Sequence, residues 1–162
     1  MSVNKKQNSF KTSNELMLAS EHLGYEINMF YGTIQLLIEN GNKQTILSNI
    51  LLESMTLRIR ILLHFFYPEK AQKDDILAEH FFDIPYDWIK VRGDMPNVLK
   101  EVKLRVGKEI AHLTYERQNI TYEEKKWNFK ELLVAIDKLT NIFLEHVPKD
   151  KLDSNYFNWD KL

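Results

Sequence analysis

The sequence predicts an all-α fold, an up-and-down bundle of four long helices and one short helix. Only 5 Gly and 4 Pro occur among 162 residues, too few turn formers for a sandwich of many short strands. Apolar residues recur at intervals of three and four along proline-free stretches, which is the period of a helix that packs on one side. A chain of this length buries roughly 68–70% of its unfolded surface, so we expect one domain with its own core.

Local signals place the five helices along the chain. The first spans about residues 14–40, because Thr12 and Glu15 fit a capping box ahead of an apolar run. The second spans about 43–67 and ends before Pro68. Its apolar residues occur nearly all round, which predicts a central position. The remaining helices are a short one over about 74–82, a fourth over about 96–117 and a last over about 128–146.

Four segments complete the predicted domain organisation. Residues 1–11 are polar and predict a flexible N-terminal arm, ahead of a single bundle domain over 12–147. Residues 83–96 contain two prolines, a glycine and large aromatic residues, and we interpret them as a strap that fills a gap in the core or as a lid over a site. The aromatic C-terminal tail, 148–162, is expected either to fold back or to cover a partner.

Composition excludes several classes of protein. The 22 Lys and Arg balance 23 Asp and Glu, so the chain does not coat nucleic acid by charge alone. There is no cysteine, which excludes disulfides, thiolate catalysis and Cys-ligated metals. The sequence has no glycine-rich phosphate loop, and we expect no cofactor and no metal site. Because residues 1–14 are polar and no apolar run reaches the ~18 residues that a membrane span needs, we expect a cytoplasmic protein with no membrane partner.

A stripe of polar residues interrupts the second helix. At 100° per residue, Glu53, Arg60 and His64 lie within about 40° of one another, with Asn49 and Thr56 beside them. Burying unpaired charge costs several kcal/mol per ion, so these side chains must be paired or in contact with water. The stripe is either a buried network that fixes the helix register or one wall of a site.

The fourth helix carries a second polar set, Arg105 and His112, on the border of its apolar stripe. The two residues are ~10.5 Å apart along the axis. A guanidinium can donate two parallel hydrogen bonds to two oxygens of one phosphate, and a histidine can transfer protons near neutral pH. In RNA the 2′-OH is an internal nucleophile, so this chemistry does not strictly require a metal. The alternative is that His112 is a core histidine bonded to Glu53 or Glu109.

The segment Arg105-Val-Gly-Lys-Glu-Ile-Ala-His112 resembles the Arg-x(4–6)-His motif of the HEPN superfamily (higher eukaryotes and prokaryotes nucleotide-binding). Its surroundings, RVGKEIAHLTYER and the upstream LLESMTLRIRILLHFFY, are similar to uncharacterised bacterial members of abortive-infection and toxin-like type. The resemblance implies a homodimeric, metal-independent endoribonuclease in which Arg105 binds phosphate and His112 transfers a proton. It also implies an RNA substrate and an antitoxin partner protein. Supporting roles fall to Glu53, Arg60, His64 and Glu109.

Two functions are therefore open. The first is an RNA-directed HEPN-like ribonuclease of a defence or toxin–antitoxin system. The second is a non-catalytic, dimeric helical scaffold whose polar stripe only fixes register; a nucleotide-binding bundle is a lesser third. Geometry distinguishes the first two: Arg105 and His112 facing a cleft favour the enzyme, whereas a closed network of Glu53, Arg60, His64 and His112 favours the scaffold.

Overall fold

The computed structural model describes residues 11–41, 43, 45–111, 115–121 and 123–157, with backbone alone at 109–111 and 116. All regular structure in these ranges is helical, which confirms the all-α class. The expectation of four long helices and one short helix is not met. Three helices are long, at 28, 21 and 18 residues, and two have only 8 and 9 residues.

Helix α1, Ser13–Asn40, begins with the predicted capping box. The hydroxyl of Thr12 accepts a hydrogen bond from the Glu15 backbone N–H, and the Glu15 carboxylate accepts one from the Thr12 N–H at 2.8 Å. These bonds satisfy backbone donors that a helix start otherwise leaves unpaired. The helix ends at Gly41, where φ is 61° and a side chain would be strained.

Helix α2, Ile46–Phe66, runs antiparallel to α1. This direction follows from the bonds of Asn40 to Ser48 near one end and Arg58 to Glu26 further along. The prediction that α2 is buried on all sides is wrong. One side packs in the core, and the opposite side exposes five large aliphatic residues, which we call the α2 apolar face: Ile46, Leu47, Ile50, Leu57 and Ile61.

The segment after α2 differs from the sequence prediction. The expected short helix over about 74–82 is a single 3-10 turn, Ala78–Phe81. The expected strap over 83–96 contains helix α3, Pro85–Arg92, with proline at its first position. Trp88 of α3 is buried in the aromatic core and donates its Nε1–H to the Phe66 carbonyl at 3.0 Å. Burial of this side chain fits the core-filling interpretation of the segment.

The predicted fourth helix is interrupted. Helix α4, Asn97–Arg105, continues into one π-helical turn, Val106–Ala111, and a 3-10 turn follows at Tyr115–Asn119. Gly107 lies within the π turn and lowers helix propensity there. Such turns rotate the residues that follow them relative to an uninterrupted helix, so positions beyond 105 cannot be read at 100° per residue.

Helix α5, Phe129–His146, closes the bundle and packs against α1, α3 and α4. The chain then folds back onto α1, one of the two expectations for the tail. Asp153 donates its N–H to Ser20 Oγ at 2.8 Å, and Phe157 is 3% exposed. The arm 1–11, apart from Lys11, and the end of the tail lie outside the described residues. None of the described helices combines the length and hydropathy of a membrane span.

Candidate functional site

A cleft of about 890 Å³ lies where α1, α2 and the end of α4 meet. Its walls come from residues 19–26 of α1, the 57–67 part of the chain, the following 69–76 segment, and 103–107 at the start of the π turn. Eleven of the twenty lining residues are aliphatic or aromatic, six are charged and two are histidines. The volume and the combination of apolar walls with polar groups are typical of ligand sites, which measure about 300–1,000 Å³.

The polar stripe of α2 contributes directly to this cleft. Arg60 and His64 line it, and Glu53 is exposed two helical turns before Arg60 on the same side of the helix. Arg60 is exposed and His64 is half-buried, so these side chains do not form the buried network that was one of the two interpretations. Arg60 and His64 are in contact with solvent in the cleft, so they do not carry the full cost of desolvation. Thr56 is buried and donates its hydroxyl to the Glu53 carbonyl at 2.9 Å.

His64 is held by a carboxylate that the sequence did not reveal. Its Nε2 lies 2.8 Å from Asp75 Oδ2, and the same oxygen accepts the Gln72 backbone N–H at 2.6 Å. Two hydrogen bonds hold the pKa of Asp75 below its usual range, and the bond from the Gln72 N–H has a larger effect than the bond with the His64 ring. A histidine oriented in this way by a carboxylate is suited to hydrogen bonding or proton transfer with a bound group.

Each of the three carboxylates that line the cleft contacts a basic side chain, which is an arginine, a lysine or a histidine. Glu26 is 2.6 Å from Arg58, and Glu69 is 2.7 Å from Lys103. Asp75 has His64. Arg60 and Lys70 also line the cleft, and neither forms a hydrogen bond or ion pair with any described residue. The uncompensated charge of the cleft is therefore positive, although the whole chain has a net charge of −1.

Arg105 lies beside the cleft but is not among its lining residues. The guanidinium donates to the carbonyls of Glu124 at 2.8 Å and Lys126 at 3.0 Å, and lies 4.1 Å from the ring centre of Trp127. These contacts connect the end of α4 to the segment that precedes α5. Its neighbours in sequence, Lys103 and the 106–107 pair, do line the cleft.

The other half of the predicted motif cannot be placed. His112 lies outside the described residues, and the side chain of Glu109 is not described. The separation of Arg105 and His112 stays a prediction, as do the supporting roles of Glu53 and Glu109. No group of three His, Asp or Glu among the described residues is arranged to hold a metal ion.

Sequence reasoning missed the cleft residues on α1 and in the 69–76 segment. Glu26 and Asp75 both act through partners distant in sequence, so helical periodicity gives no sign of them. The sequence did contain one signal for Asp75, namely its position. It is an acidic residue in the segment that follows Pro68, shortly after the end of α2, the helix that carries His64.

Comparison with known proteins finds no matching family model, no similar curated protein and no similar solved structure. The resemblance to the HEPN superfamily thus depends on the sequence motif alone.

Proposed function

We propose that the protein is an RNA-directed, HEPN-like endoribonuclease that acts as a cytoplasmic homodimer. The observation that supports this is the cleft itself. It brings the α2 stripe residues Arg60 and His64 together with segment 103–107, on which Arg105 lies and after which His112 follows. Arg60 and His64, which suit phosphate chemistry, thus share this opening with Lys103, Val106 and Gly107, the residues that flank Arg105 in the sequence.

In the proposed reaction, the 2′-oxygen of RNA attacks the adjacent phosphorus and the bond to the 5′-oxygen breaks. The products are a 2′,3′-cyclic phosphate and a 5′-hydroxyl, with no net gain or loss of protons. His112 transfers a proton between these oxygens, and Arg105 stabilises charge on the non-bridging oxygens. In this step the Arg105 guanidinium gives up its hydrogen bonds to the Glu124 and Lys126 carbonyls and donates to the phosphate instead. Glu53 or Glu109 orients the Arg105–His112 pair. In the homodimer two Arg–His pairs share one composite cleft.

The test is incubation of the purified protein with total RNA in the presence of EDTA. We expect the wild-type protein to cleave RNA, and His112→Ala and Arg105→Ala each to lose at least about 100-fold in rate while keeping the helical circular dichroism signal. His146→Ala is the matched control, because that histidine is at the exposed end of α5 and, among the residues that the structure describes, bonds only to the Ile142 carbonyl. Cleavage that persists in both motif variants overturns the proposal.

The α2 apolar face favours a second candidate, a non-catalytic dimeric scaffold. Ile46 is 80% exposed and Leu47 is 60% exposed, and three further aliphatic residues continue the face along the helix. Several exposed aliphatic side chains on one side of a helix are typical of contact sites between proteins. The scaffold is the better assignment if the protein forms a dimer through this face and does not cleave RNA. An antitoxin protein is the alternative occupant of the same face.

A further inference from the structure

We infer that Arg60, Lys70 and His64, none of which belongs to the Arg105–His112 motif, form a phosphate-binding subsite in the cleft. The inference deepens the proposed function by naming the groups that hold a phosphate of the substrate, and it rests on that function only for the identity of the substrate as RNA. Phosphate binding itself does not require cleavage, so the two proposals can fail independently.

The first argument is the charge of the cleft. Its three carboxylates are each engaged by a basic side chain at 2.8 Å or less, as described above. An entering anion therefore meets no carboxylate that lacks such a partner. Arg60 forms no bond with a described residue, so its donors are available to an anion without breaking an existing contact.

The second argument is the geometry of α2. Arg60 and His64 are four residues apart, so their side chains are neighbours on one face, with about 6 Å between them along the axis. Asp75 holds His64 through Nε2, and Nδ1 has no hydrogen bond with a described residue. When protonated, the ring donates from Nε2 to Asp75 and from Nδ1 to a phosphate oxygen. Arg60 supplies paired N–H groups that match two oxygens of the same phosphate.

The third argument is the apolar wall beside these groups. Leu57, Ile61 and Ile76 line the cleft and remain partly exposed. Apolar surface of this kind stabilises the flat faces of a base and the carbon side of a ribose. The ligand class is therefore a nucleotide phosphate, which is either part of an RNA chain or a free nucleotide.

The experiment measures binding to the full-length protein by calorimetry. The three probes are inorganic phosphate, adenosine 5′-monophosphate, and a short 2′-O-methyl RNA without terminal phosphates, which cannot be cleaved. We expect Arg60→Ala to weaken nucleotide or RNA binding about tenfold and Arg60→Lys to recover part of the loss. Lys138→Ala is the control, because that lysine is exposed on α5 outside the cleft.

The probes also separate the two sources of phosphate. Tighter binding of the 2′-O-methyl RNA than of the mononucleotide assigns the subsite to an RNA chain, and the reverse order assigns it to a free nucleotide. In either case the Cε1–H resonance of His64 should shift on titration while that of His146 does not. The inference is overturned if none of the probes binds, or if Arg60→Ala binds them as tightly as the wild-type protein. Arg60-dependent binding without any RNA cleavage overturns only the nuclease.

Discussion

At the scale of single residues, Arg105 has a structural role that any functional test must separate from catalysis. Its guanidinium donates to two backbone carbonyls and stacks on Trp127. We expect Arg105→Ala to lower the free energy of unfolding by about 1–2 kcal/mol, because these carbonyls lose charged donors and the ring loses its cation. Arg105→Lys should recover only part of this, since an ammonium group cannot reproduce the two-pronged geometry. Urea denaturation measures the loss, and an unchanged unfolding midpoint for the alanine variant contradicts it.

His80 gives a residue-scale prediction about pH. Burial lowers the pKa of His80 below its ordinary value of 6.5. The unfolded chain therefore binds this proton more readily, and the stability of the native state falls as the pH drops through about 6.5 toward the folded pKa. Above that window His80 is neutral in both states and has no effect. We expect His80→Gln to lose less stability than the wild-type protein between pH of about 7.5 and about 5.5, as measured by urea denaturation. An equal loss in the two proteins contradicts the prediction.

Sequence reasoning at this scale succeeded where the partner is near in the chain. The Thr12–Glu15 capping box was visible because both residues occur within one helical turn. The partners of Arg105 and His64 were not visible, because they belong to irregular segments that reach these side chains only in the folded chain.

At the scale of helices, two glycines of α1 provide a matched pair of substitutions. A Cβ added at Gly24 would lie 2.7 Å from the Tyr156 Cβ, whereas nothing lies within 4 Å of one added at Gly32. Both positions are in the helix interior, where alanine is favoured over glycine by about 1 kcal/mol. We expect Gly32→Ala to stabilise the protein by about that amount, and Gly24→Ala to destabilise it by about 1–3 kcal/mol because the tail must shift. Equal effects in thermal unfolding would show that the tail does not pack on α1.

The helices themselves were predicted where their ends carry local signals. Capping residues and proline fixed the limits of α1, α2 and α5 to within a few residues. Helix α3 was missed because it has only eight residues, and burial of Trp88 against Phe66 stabilises it rather than an apolar period. The π turn after α4 was missed because a continuous pattern gives no sign of a local change in winding.

At the scale of the whole molecule, the three residues of the α2 apolar face that lie outside the cleft, Ile46, Leu47 and Ile50, predict self-association. Ile50 is 56% exposed on this face and does not line the cleft, so its replacement leaves the phosphate subsite intact. We expect the wild-type protein to be a dimer by sedimentation and Ile50→Asp to be a monomer with unchanged helical content. Val134→Asp on α5 is the control, because Val134 is 66% exposed, somewhat more than Ile50, but lies on another helix. A wild-type monomer, or an Ile50→Asp dimer, contradicts the assignment of this face.

The fold class could be predicted at this scale, but the cleft could not. Low glycine and proline content and helical periodicity are properties of the sequence itself, and they indicated an all-helical protein. The cleft depends on how α1, α2 and the end of α4 are placed relative to one another. That placement follows from packing in the core. The sequence therefore showed that the stripe on α2 is polar, but not which elements lie opposite it.

The central claim, cleavage of RNA by attack of its own 2′-OH, has one direct measurement. The substrate is an oligonucleotide that contains a single ribonucleotide among 2′-O-methyl residues, incubated with the protein and EDTA. The account predicts cleavage only after the ribonucleotide, a 2′,3′-cyclic phosphate end, and loss of both with His112→Ala. No cleavage, or equal cleavage of an oligonucleotide without the 2′-hydroxyl, would contradict it.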